Sequence, residues 1–302
     1  MKTGDQLNRV RLGATDVLVS RLAWGMWRFQ GDDLYHAREL VDAALDAGIN
    51  LFDTADIYGY NGRAGFGDAE ILLGRLFAAD PGLRRKIVLA SKGGIIPGVP
   101  YDSSADYLGA ACEASLRRLG TDHLDLFQVH RPDVLAHPAE VARALETLVA
   151  SGKVRTVGVS NYTPSQTAAL ITHLQIPLAS LQPEFSPLVI EPLADGTLDM
   201  ATRHGISVLA WSPLAGGRLG APGDDERAQR VCAELDAQAM RCGVSRSAAA
   251  YAWSMAHPAG IIPIVGSQQV HRIREAADAY RVVWTRSDWY RVLVAARGAA
   301  LP

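Results

Sequence analysis

The chain has 302 residues, of which 48% are hydrophobic and 21% are charged, and these fractions are ordinary for a globular protein. Its formal net charge is −2 with acids and bases mixed along the chain, which excludes a basic nucleic-acid surface and a polybasic membrane patch. No apolar run approaches the roughly 20 residues of a membrane span, and Met1–Arg11 lack the apolar core of a secretory signal. The three cysteines form no paired motif, which favours reduced thiols and a cytoplasmic location.

Short apolar runs alternate with helical stripes along the chain, after a start that predicts a hairpin. Residues 9–20 alternate around Gly13 and predict a β-hairpin, with a disordered arm as the alternative. Eight apolar runs then predict strands, at Arg21–Trp24, Ile49–Phe52, Ile87–Ala90, Leu124–Val129, Val154–Val159, Leu178–Leu181, Ile206–Ala210 and Ile261–Val265. Helices are predicted between these runs, with start signals at Pro138, Thr163–Pro164 and Asp224–Asp225.

The regular alternation of strands and helices predicts the fold class. Parallel pairing is expected because each crossover helix returns the chain to the same edge of the sheet. Eight units with no linker predict an α/β protein with one domain over residues 1–302, a closed (β/α)8 TIM barrel whose bottom is covered by the hairpin. A doubly wound open sheet is the alternative, but Gly25-Met26-Trp27-Arg28-Phe29 follows the first strand where that fold would carry G-x-G-x-x-G.

Polar residues stand directly after six successive predicted strands. In a barrel of this kind the carboxyl ends of the strands form the functional face. The residues at these ends are Asp53, Ser91 and Lys92, His130, Ser160 and Asn161, Gln182, and Ser212, with Gly266 and Ser267 after the last strand. A single such residue is commonly a cap, whereas the whole set predicts a polar site at one end of the barrel.

His130, Asp133 and His137 raise the alternative of a metal site, because spacings of three and four suit ligands on one face of a helix. Pro132 and Pro138 interrupt the helix that this geometry needs, and neither a cysteine nor a glutamate joins the set. The sequence therefore predicts no metal.

The motifs at the strand ends resemble those of the aldo-keto reductase family. They are Asp53-Thr54-Ala55 with Tyr58-Gly59, Glu70 and Gly74, then Lys92, His130-Arg131-Pro132-Asp133, Gly158-Val159-Ser160-Asn161, Trp211-Ser212-Pro213-Leu214, and Ile264-Val265-Gly266-Ser267 with Arg272. They follow in family order over roughly Arg9–Tyr280. The resemblance implies a (β/α)8 barrel that reduces aldehydes or ketones with a nicotinamide cofactor, usually NADPH.

The resemblance also assigns the catalytic roles, to Asp53, Tyr58, Lys92 and His130. Hydride delivery to a carbonyl carbon leaves negative charge on the oxygen, so an acid must donate a proton there. Tyr58 suits this role if its pKa, about 10 in water, moves toward neutrality beside the Lys92 cation. Asp53 would hold the lysine, and a neutral His130 would orient the carbonyl group.

Cofactor contacts are likewise implied by the resemblance. The residues are Gly25, Met26, Trp27, Asp53, Ser160, Asn161, Gln182, Trp211, Ser212, Pro213, Leu214, Gly216, Gly217, Arg218, Gly266, Ser267, Arg272 and Glu275. Trp211 would stack on the nicotinamide, and the loop from Ser212 to Arg218 would follow the pyrophosphate. Ser267 and Arg272 would bind the adenosine 2′-phosphate, although Gly266 replaces a lysine of some relatives and weakens the expected preference for NADPH.

The sequence thus predicts an NADPH-dependent reductase that acts on a small carbonyl compound, without nucleic acid, membrane or obligate protein partner. Trp27, Phe29 and Tyr60 indicate a pocket for apolar or aromatic substrates. The alternative is an NADP(H)-binding regulatory or accessory subunit with little turnover, while a barrel hydrolase would need a nucleophile or metal set that the sequence lacks. The tail Ser287–Pro302 is expected either to form a pocket wall or to pack outside the barrel.

Overall fold

Eight parallel strands close into a barrel in the computed structural model, which describes residues 9–302. In chain order they are β3 (Ala23–Gly25), β4 (Leu51–Asp53), β5 (Val88–Gly93), β6 (Leu124–Val129), β7 (Val154–Ser160), β8 (Leu178–Gln182), β9 (Ser207–Ala210) and β10 (Ile262–Val265). Each strand pairs with the next, and β10 pairs with both β9 and β3. The predicted (β/α)8 barrel is confirmed, whereas the prediction about Met1–Arg11 falls largely on residues 1–8, which lie outside the described residues.

Helices surround the barrel. They are α1 (Leu34–Asp46), α2 (Asp68–Ala79), α3 (Ala105–Leu119), α4 (Pro138–Ala150), α5 (Pro164–His173), α6 (Thr197–His204), α7 (Glu226–Cys242), α8 (Arg246–Met255), α9 (Val270–Glu275) and α10 (Arg286–Arg297). The start signals act as predicted: Thr163 forms a capping box with Gln166, the Asp225 side chain accepts the Ala228 N–H, and Pro138 occupies the first turn of α4.

The hairpin covers the amino-terminal end of the barrel, as predicted. It consists of β1 (Arg9–Arg11) paired antiparallel with β2 (Leu18–Ser20). Leu12, Val17 and Val19 are buried among side chains that point into the barrel interior. The Gly13 N–H donates to Ser207 Oγ at 2.8 Å, and a Cβ on Gly13, whose φ is +57°, would lie 2.5 Å from the carbonyl oxygen of Ala179. Only glycine fits this close approach.

The C-terminal helix α10 packs outside the barrel, on α7 and α8. The indoles of Trp289 and Trp253 stack with centroids 4.6 Å apart, and each indole N–H donates to the backbone carbonyl of the other residue. The tail thus packs outside the barrel, which was the second of the two expectations for it. Among residues 9–302, no helix is both long enough and apolar enough to cross a membrane.

Several strands run one to three residues further than the apolar runs that predicted them. Asp53, Ser160 and Gln182 are the last residues of their strands, and Lys92 lies within β5. Their side chains are buried and hydrogen-bonded inside the barrel mouth. These four residues of the polar site are thus part of the sheet, whereas Tyr58 and His130 lie in the loops beyond it.

Candidate active site

Lys92 is the centre of a buried polar cluster at the carboxyl end of the barrel. Its Nζ donates to Asp53 Oδ2 at 2.7 Å, to the Thr54 carbonyl at 2.9 Å and to the Tyr58 hydroxyl at 3.0 Å. Burial lowers the pKa of Lys92, but Asp53 and Tyr58 outweigh this effect and leave the pKa above its ordinary value. Lys92 is therefore a buried cation whose three acceptors compensate for lost hydration.

Asp53 is fixed by amides from across the barrel. Its Oδ1 accepts the Gln182 side-chain N–H at 3.0 Å and the Gln128 side-chain N–H at 3.3 Å. Gln128 in turn accepts from Ser180 Oγ at 3.0 Å. Because each oxygen of Asp53 is bonded, the carboxylate is held in one orientation against Lys92. Gln128 and Ser180 were not predicted as part of the site.

Tyr58 reaches the mouth on a loop that folds back on itself. The Asp56 N–H donates to the Lys92 carbonyl at 3.0 Å, and the Tyr58 carbonyl accepts the Ala69 N–H at 3.2 Å. Gly59, with φ +100°, permits the fold, because a Cβ there would lie 2.7 Å from Asp68 Cβ. The half-buried Tyr58 ring meets His130 edge-on with centroids 5.7 Å apart. The loop thus places the hydroxyl between Lys92 and open space.

The pKa of Tyr58 is not shifted in the expected direction. Burial raises it above 10 and Asp53 raises it further, while Lys92 and Arg131 lower it without reversing the shift. The raised pKa differs from the expected shift toward neutrality, because the effect of burial on Tyr58 outweighs the opposing charge of Lys92. Tyr58 is therefore protonated at neutral pH, as a proton donor has to be.

His130 contributes a neutral imidazole. Burial lowers its pKa well below 6.5, and the cations Lys92 and Arg131 act in the same direction. Its backbone N–H donates to the Gly93 carbonyl at 2.9 Å, which fixes it beside β5. An uncharged ring next to Tyr58 can hydrogen-bond a substrate carbonyl without competing for the role of acid.

The residues of the alternative metal site have other partners. Asp133 accepts the backbone N–H groups of Ser103 and Leu135 at 3.0 and 2.9 Å, and the His137 ring accepts the Ala139 N–H at the start of α4. Over the described range 9–302, no three or more His, Cys, Asp and Glu residues are grouped so that they could hold a metal ion.

A second buried acid lies behind Tyr58. Asp56 is 1% exposed, and neither of its carboxylate oxygens has a hydrogen-bond partner among residues 9–302. Burial raises its pKa to about 8, and the nearby Glu70 carboxylate adds to this shift while Arg118 opposes it. Glu70 itself accepts from Ser91 Oγ at 2.5 Å and from Arg118 Nε at 2.7 Å. Asp56 is consequently an uncharged carboxylic acid at neutral pH.

Most of the expected nicotinamide contacts meet at the ends of β7 and β9. Asn161, at φ +61°, donates to the His130 carbonyl and to Ser160 Oγ, and its Oδ1 accepts the Trp211 indole N–H at 3.0 Å. Gln182 lies at the end of β8, where its side-chain N–H donates to Asp53 at 3.0 Å inside the barrel. The half-exposed indole of Trp211 provides a flat surface, and a nicotinamide ring fits against such a surface.

The loop after β9 presents its backbone to open space. Ser212 and Ala215 have φ values of +52° and +51°, and Ser212 Oγ accepts the Gly216 N–H at 2.7 Å. Gly216 and Gly217 also have positive φ, and no atom lies within 4 Å of a Cβ added to either. Pro213 and Leu214 complete the turn, and the exposed Arg218 lies 3.4 Å from Asp225. This strained, glycine-containing loop with a cation at its end fits a pyrophosphate group.

The segment after β3 runs beside Asp53 and then turns away from the barrel. The Met26 N–H donates to the Asp53 carbonyl at 2.9 Å beside Gly25, and Trp27 is 66% exposed with Arg28 over its ring. Phe29, expected to line the pocket, is instead buried in the core with its ring 5.4 Å from that of Trp24. The prediction for Phe29 was wrong because the turn after Trp27 directs the chain back toward α1.

The two arginines of the helix that follows β10 differ in whether their side chains have a partner. Ser267 Oγ accepts the Gln269 N–H ahead of α9, and Gly266 is exposed. Arg274 is paired with Asp46 at 3.0 Å, whereas the exposed Arg272 makes no hydrogen bond or ion pair within residues 9–302. Glu275, half-buried, ends the same helix. Arg272 is thus the arginine of α9 available to an anionic ligand.

A closed barrel with a Lys–Asp–Tyr cluster and a neutral histidine at its carboxyl end is typical of a barrel enzyme that transfers a proton to its substrate. The family model for the Aldo/keto reductase family matches residues 21–294. The chain belongs to this family and is a nicotinamide-dependent oxidoreductase of carbonyl compounds.

Individual relatives agree with the family assignment. The chain is 58% identical to a 6-dehydroglucose reductase of Novosphingobium aromaticivorans, over 97% of this chain and 96% of that protein. It is 40% identical to a 6-dehydroglucose reductase of Agrobacterium fabrum, over 95% and 98% of the two chains. The crystal structure of a thermostable aldo-keto reductase, Tm1743, in complex with the inhibitor epalrestat has the same fold, with a TM-score of 0.82, 24% identity, and coverage of 95% of this chain and 99% of that one.

Proposed function

We propose that this protein reduces 6-dehydroglucose, or a closely related sugar aldehyde, to the corresponding alcohol with NADPH. The reductase of that name in Novosphingobium aromaticivorans is 58% identical over nearly the full length of both chains. As its name describes, 6-dehydroglucose carries a carbonyl group at C6, and adding a hydride and a proton there yields glucose. This polar substrate replaces the expectation of an apolar or aromatic one.

The observation that carries the chemistry is the contact of the Tyr58 hydroxyl with Lys92 Nζ at 3.0 Å. When bound, the nicotinamide supplies the hydride. Tyr58 donates its proton to the carbonyl oxygen as negative charge develops there, and Lys92 stabilises the phenolate that remains. Asp53 holds the ammonium in place, and His130 donates a hydrogen bond that orients the carbonyl.

For the cofactor, we assign the carboxamide to Ser160 and Asn161, the ring face to Trp211 and the pyrophosphate to the loop from Ser212 to Arg218. The positive φ values in this loop and its open glycines support the assignment. We also propose that residues 1–302 form one domain that acts in the cytoplasm without an obligate protein partner. The unpaired thiols of Cys112, Cys232 and Cys242 agree with a reducing compartment.

The test of this function is turnover by the wild-type protein. NADPH consumption is measured with 6-dehydroglucose and, in parallel, with 4-nitrobenzaldehyde, which has no hydroxyl groups. A higher kcat/KM for the sugar aldehyde is expected. Reduction of 4-nitrobenzaldehyde alone would contradict the proposed substrate, and NADPH binding without turnover of any aldehyde would favour the regulatory subunit.

The choice of NADPH over NADH is predicted to depend on Arg272. The exposed guanidinium of Arg272, with its planar fork, suits the adenosine 2′-phosphate, a group that NADH lacks. A charge-assisted contact of this kind is worth roughly 1.5–3 kcal/mol, so Arg272→Ala is expected to weaken NADPH binding by about 10- to 150-fold and to leave NADH binding unchanged. Fluorescence titration of both nucleotides measures the effect.

The matched control is Arg274→Ala on the same helix, because Arg274 is paired with Asp46. This variant should bind both nucleotides as the wild type does. Equal weakening of NADPH and NADH in Arg272→Ala, or a wild type that prefers NADH, would contradict the assignment.

A further inference from the structure

One cation at the barrel mouth, Arg131, has so far been described only by its effect on the pKa values of Tyr58 and His130. Arg131 follows His130 at the end of β6, and its guanidinium carbon lies 6.0 Å from the centre of the Trp211 ring, which follows β9. Trp211 is itself held by its hydrogen bond to Asn161. The Arg131 side chain therefore reaches over the mouth from His130 toward Trp211.

The guanidinium of Arg131 lacks a fixed partner. Within residues 9–302 it has no carboxylate at ion-pair distance and makes no hydrogen bond, although its side chain is half-buried. Arg118 and Arg218, in contrast, are paired with Glu70 and Asp225 at 2.7 and 3.4 Å. Within the described residues, the N–H groups of Arg131 are thus available to a ligand beside Trp211.

The positive charge of Arg131 acts on the pKa values of three groups at the barrel mouth. Burial raises the pKa of Tyr58 and Arg131 opposes this shift, while for His130 burial and Arg131 both lower the pKa. Burial also raises the pKa of Glu184, with Arg218 and Arg131 acting against it. The charge of Arg131 therefore acts on both reacting side chains and on Glu184, whose backbone is paired with that of Trp211.

A guanidinium has five N–H donors and no acceptor, so its ligands are oxygen atoms. A polyhydroxylated aldehyde presents several hydroxyl oxygens within reach of a planar fork, whereas an apolar aldehyde presents none beyond its carbonyl. For an apolar substrate the half-buried cation would lose water without gaining a partner, which disfavours binding.

We propose that Arg131 binds hydroxyl oxygens of the substrate and makes the enzyme prefer sugar aldehydes to apolar aldehydes. This inference rests on the proposed function, since it names the side chain that recognises the polyhydroxylated part of the substrate. Trp211 supports the guanidinium from below through a cation–π contact. Tyr58 and His130 bind the aldehyde end, and Arg131 binds the chain of hydroxyl groups behind it.

The test compares two variants on two substrates. Arg131→Met keeps the length of the side chain without its donors, and Arg131→Lys keeps the charge without the planar fork. With saturating NADPH, Arg131→Met is expected to lower kcat/KM for 6-dehydroglucose by about 10- to 150-fold more than it lowers kcat/KM for 4-nitrobenzaldehyde, with the excess loss mainly in KM. Arg131→Lys should lower kcat/KM for 6-dehydroglucose by a smaller factor than Arg131→Met.

Controls distinguish sugar recognition by Arg131 from a role in proton transfer, cofactor binding or folding. Arg143→Met, at an exposed position of α4, should match the wild type on both substrates. NADPH titration and thermal unfolding establish that each variant binds cofactor and folds. An equal decrease in kcat/KM for both substrates in Arg131→Met would mean that Arg131 acts on the reacting groups, and would overturn the inference. Weaker NADPH binding by this variant would overturn it as well. A wild type that reduces only 4-nitrobenzaldehyde overturns the proposed function and removes the basis of this inference, whereas sugar turnover unchanged in Arg131→Met overturns the inference alone.

Discussion

Tyr58→Phe is expected to lower kcat for carbonyl reduction by about 10²- to 10⁴-fold, the range that general acid catalysis contributes. The substitution removes the hydroxyl that lies 3.0 Å from Lys92 Nζ and keeps the ring that packs edge-on against His130. Because the proton is donated in the transition state, the loss should appear in kcat, with NADPH affinity unchanged. Steady-state kinetics and NADPH fluorescence titration measure the two quantities.

Tyr35→Phe on α1 is the matched control, since this exposed tyrosine loses the same atom and is not part of the Lys92 cluster. It should retain wild-type kcat. A decrease in kcat of less than about tenfold in Tyr58→Phe would show that another group donates the proton.

Asp56→Asn is expected to stabilise the protein near pH 8. The pKa of Asp56 is about 8 in the folded protein, because of burial and the neighbouring Glu70, and about 4 in an unfolded chain. At a pH between these two pKa values, Asp56 is ionised in the unfolded chain and protonated in the folded protein. The free energy of unfolding therefore falls by up to about 1.4 kcal/mol per pH unit across this window as pH rises, and asparagine does not titrate.

At pH 8 the variant should exceed the wild type by roughly 4–6 kcal/mol in free energy of unfolding, and near pH 4 the difference should vanish. Denaturant unfolding at several pH values measures this difference. Asp224→Asn, in the exposed loop before α7, is the control and should follow the wild type throughout. A wild type and an Asp56→Asn variant with parallel pH profiles would mean that Asp56 is ionised in the folded state.

The barrel and the position of the cluster could be predicted from the sequence because both follow from local patterns. Apolar runs at regular intervals predict the strands, and a polar residue at the end of each run marks the mouth. Helix α8 escaped prediction for the opposite reason, since its residues from Ala248 to Met255 are all buried and leave no polar face to give a stripe.

Features that depend on long-range contacts were not predictable. Gln128 and Asp125 are the two polar residues within the predicted strand Leu124–Val129, and the bond of Gln128 to Asp53 joins residues 75 positions apart. The direction of the pKa shift of Tyr58 depends on the balance between its burial and the charge of Lys92, which a sequence does not specify. In the sequence, Asp56 is a polar residue in a loop, and nothing in the sequence indicates that its side chain is buried, as it is in the structure.

Apolar side chains fill the barrel interior, and the hairpin closes its amino-terminal end. Leu12, Val17 and Val19 fill the lower end, and Gly13 is bonded to the first residue of β9. Bulk water therefore approaches Tyr58 from the mouth alone. On the proposed mechanism, the phenolate of Tyr58 is protonated again after each turnover through the barrel mouth, by which the alcohol also leaves. Product release and reprotonation of the acid therefore share one route.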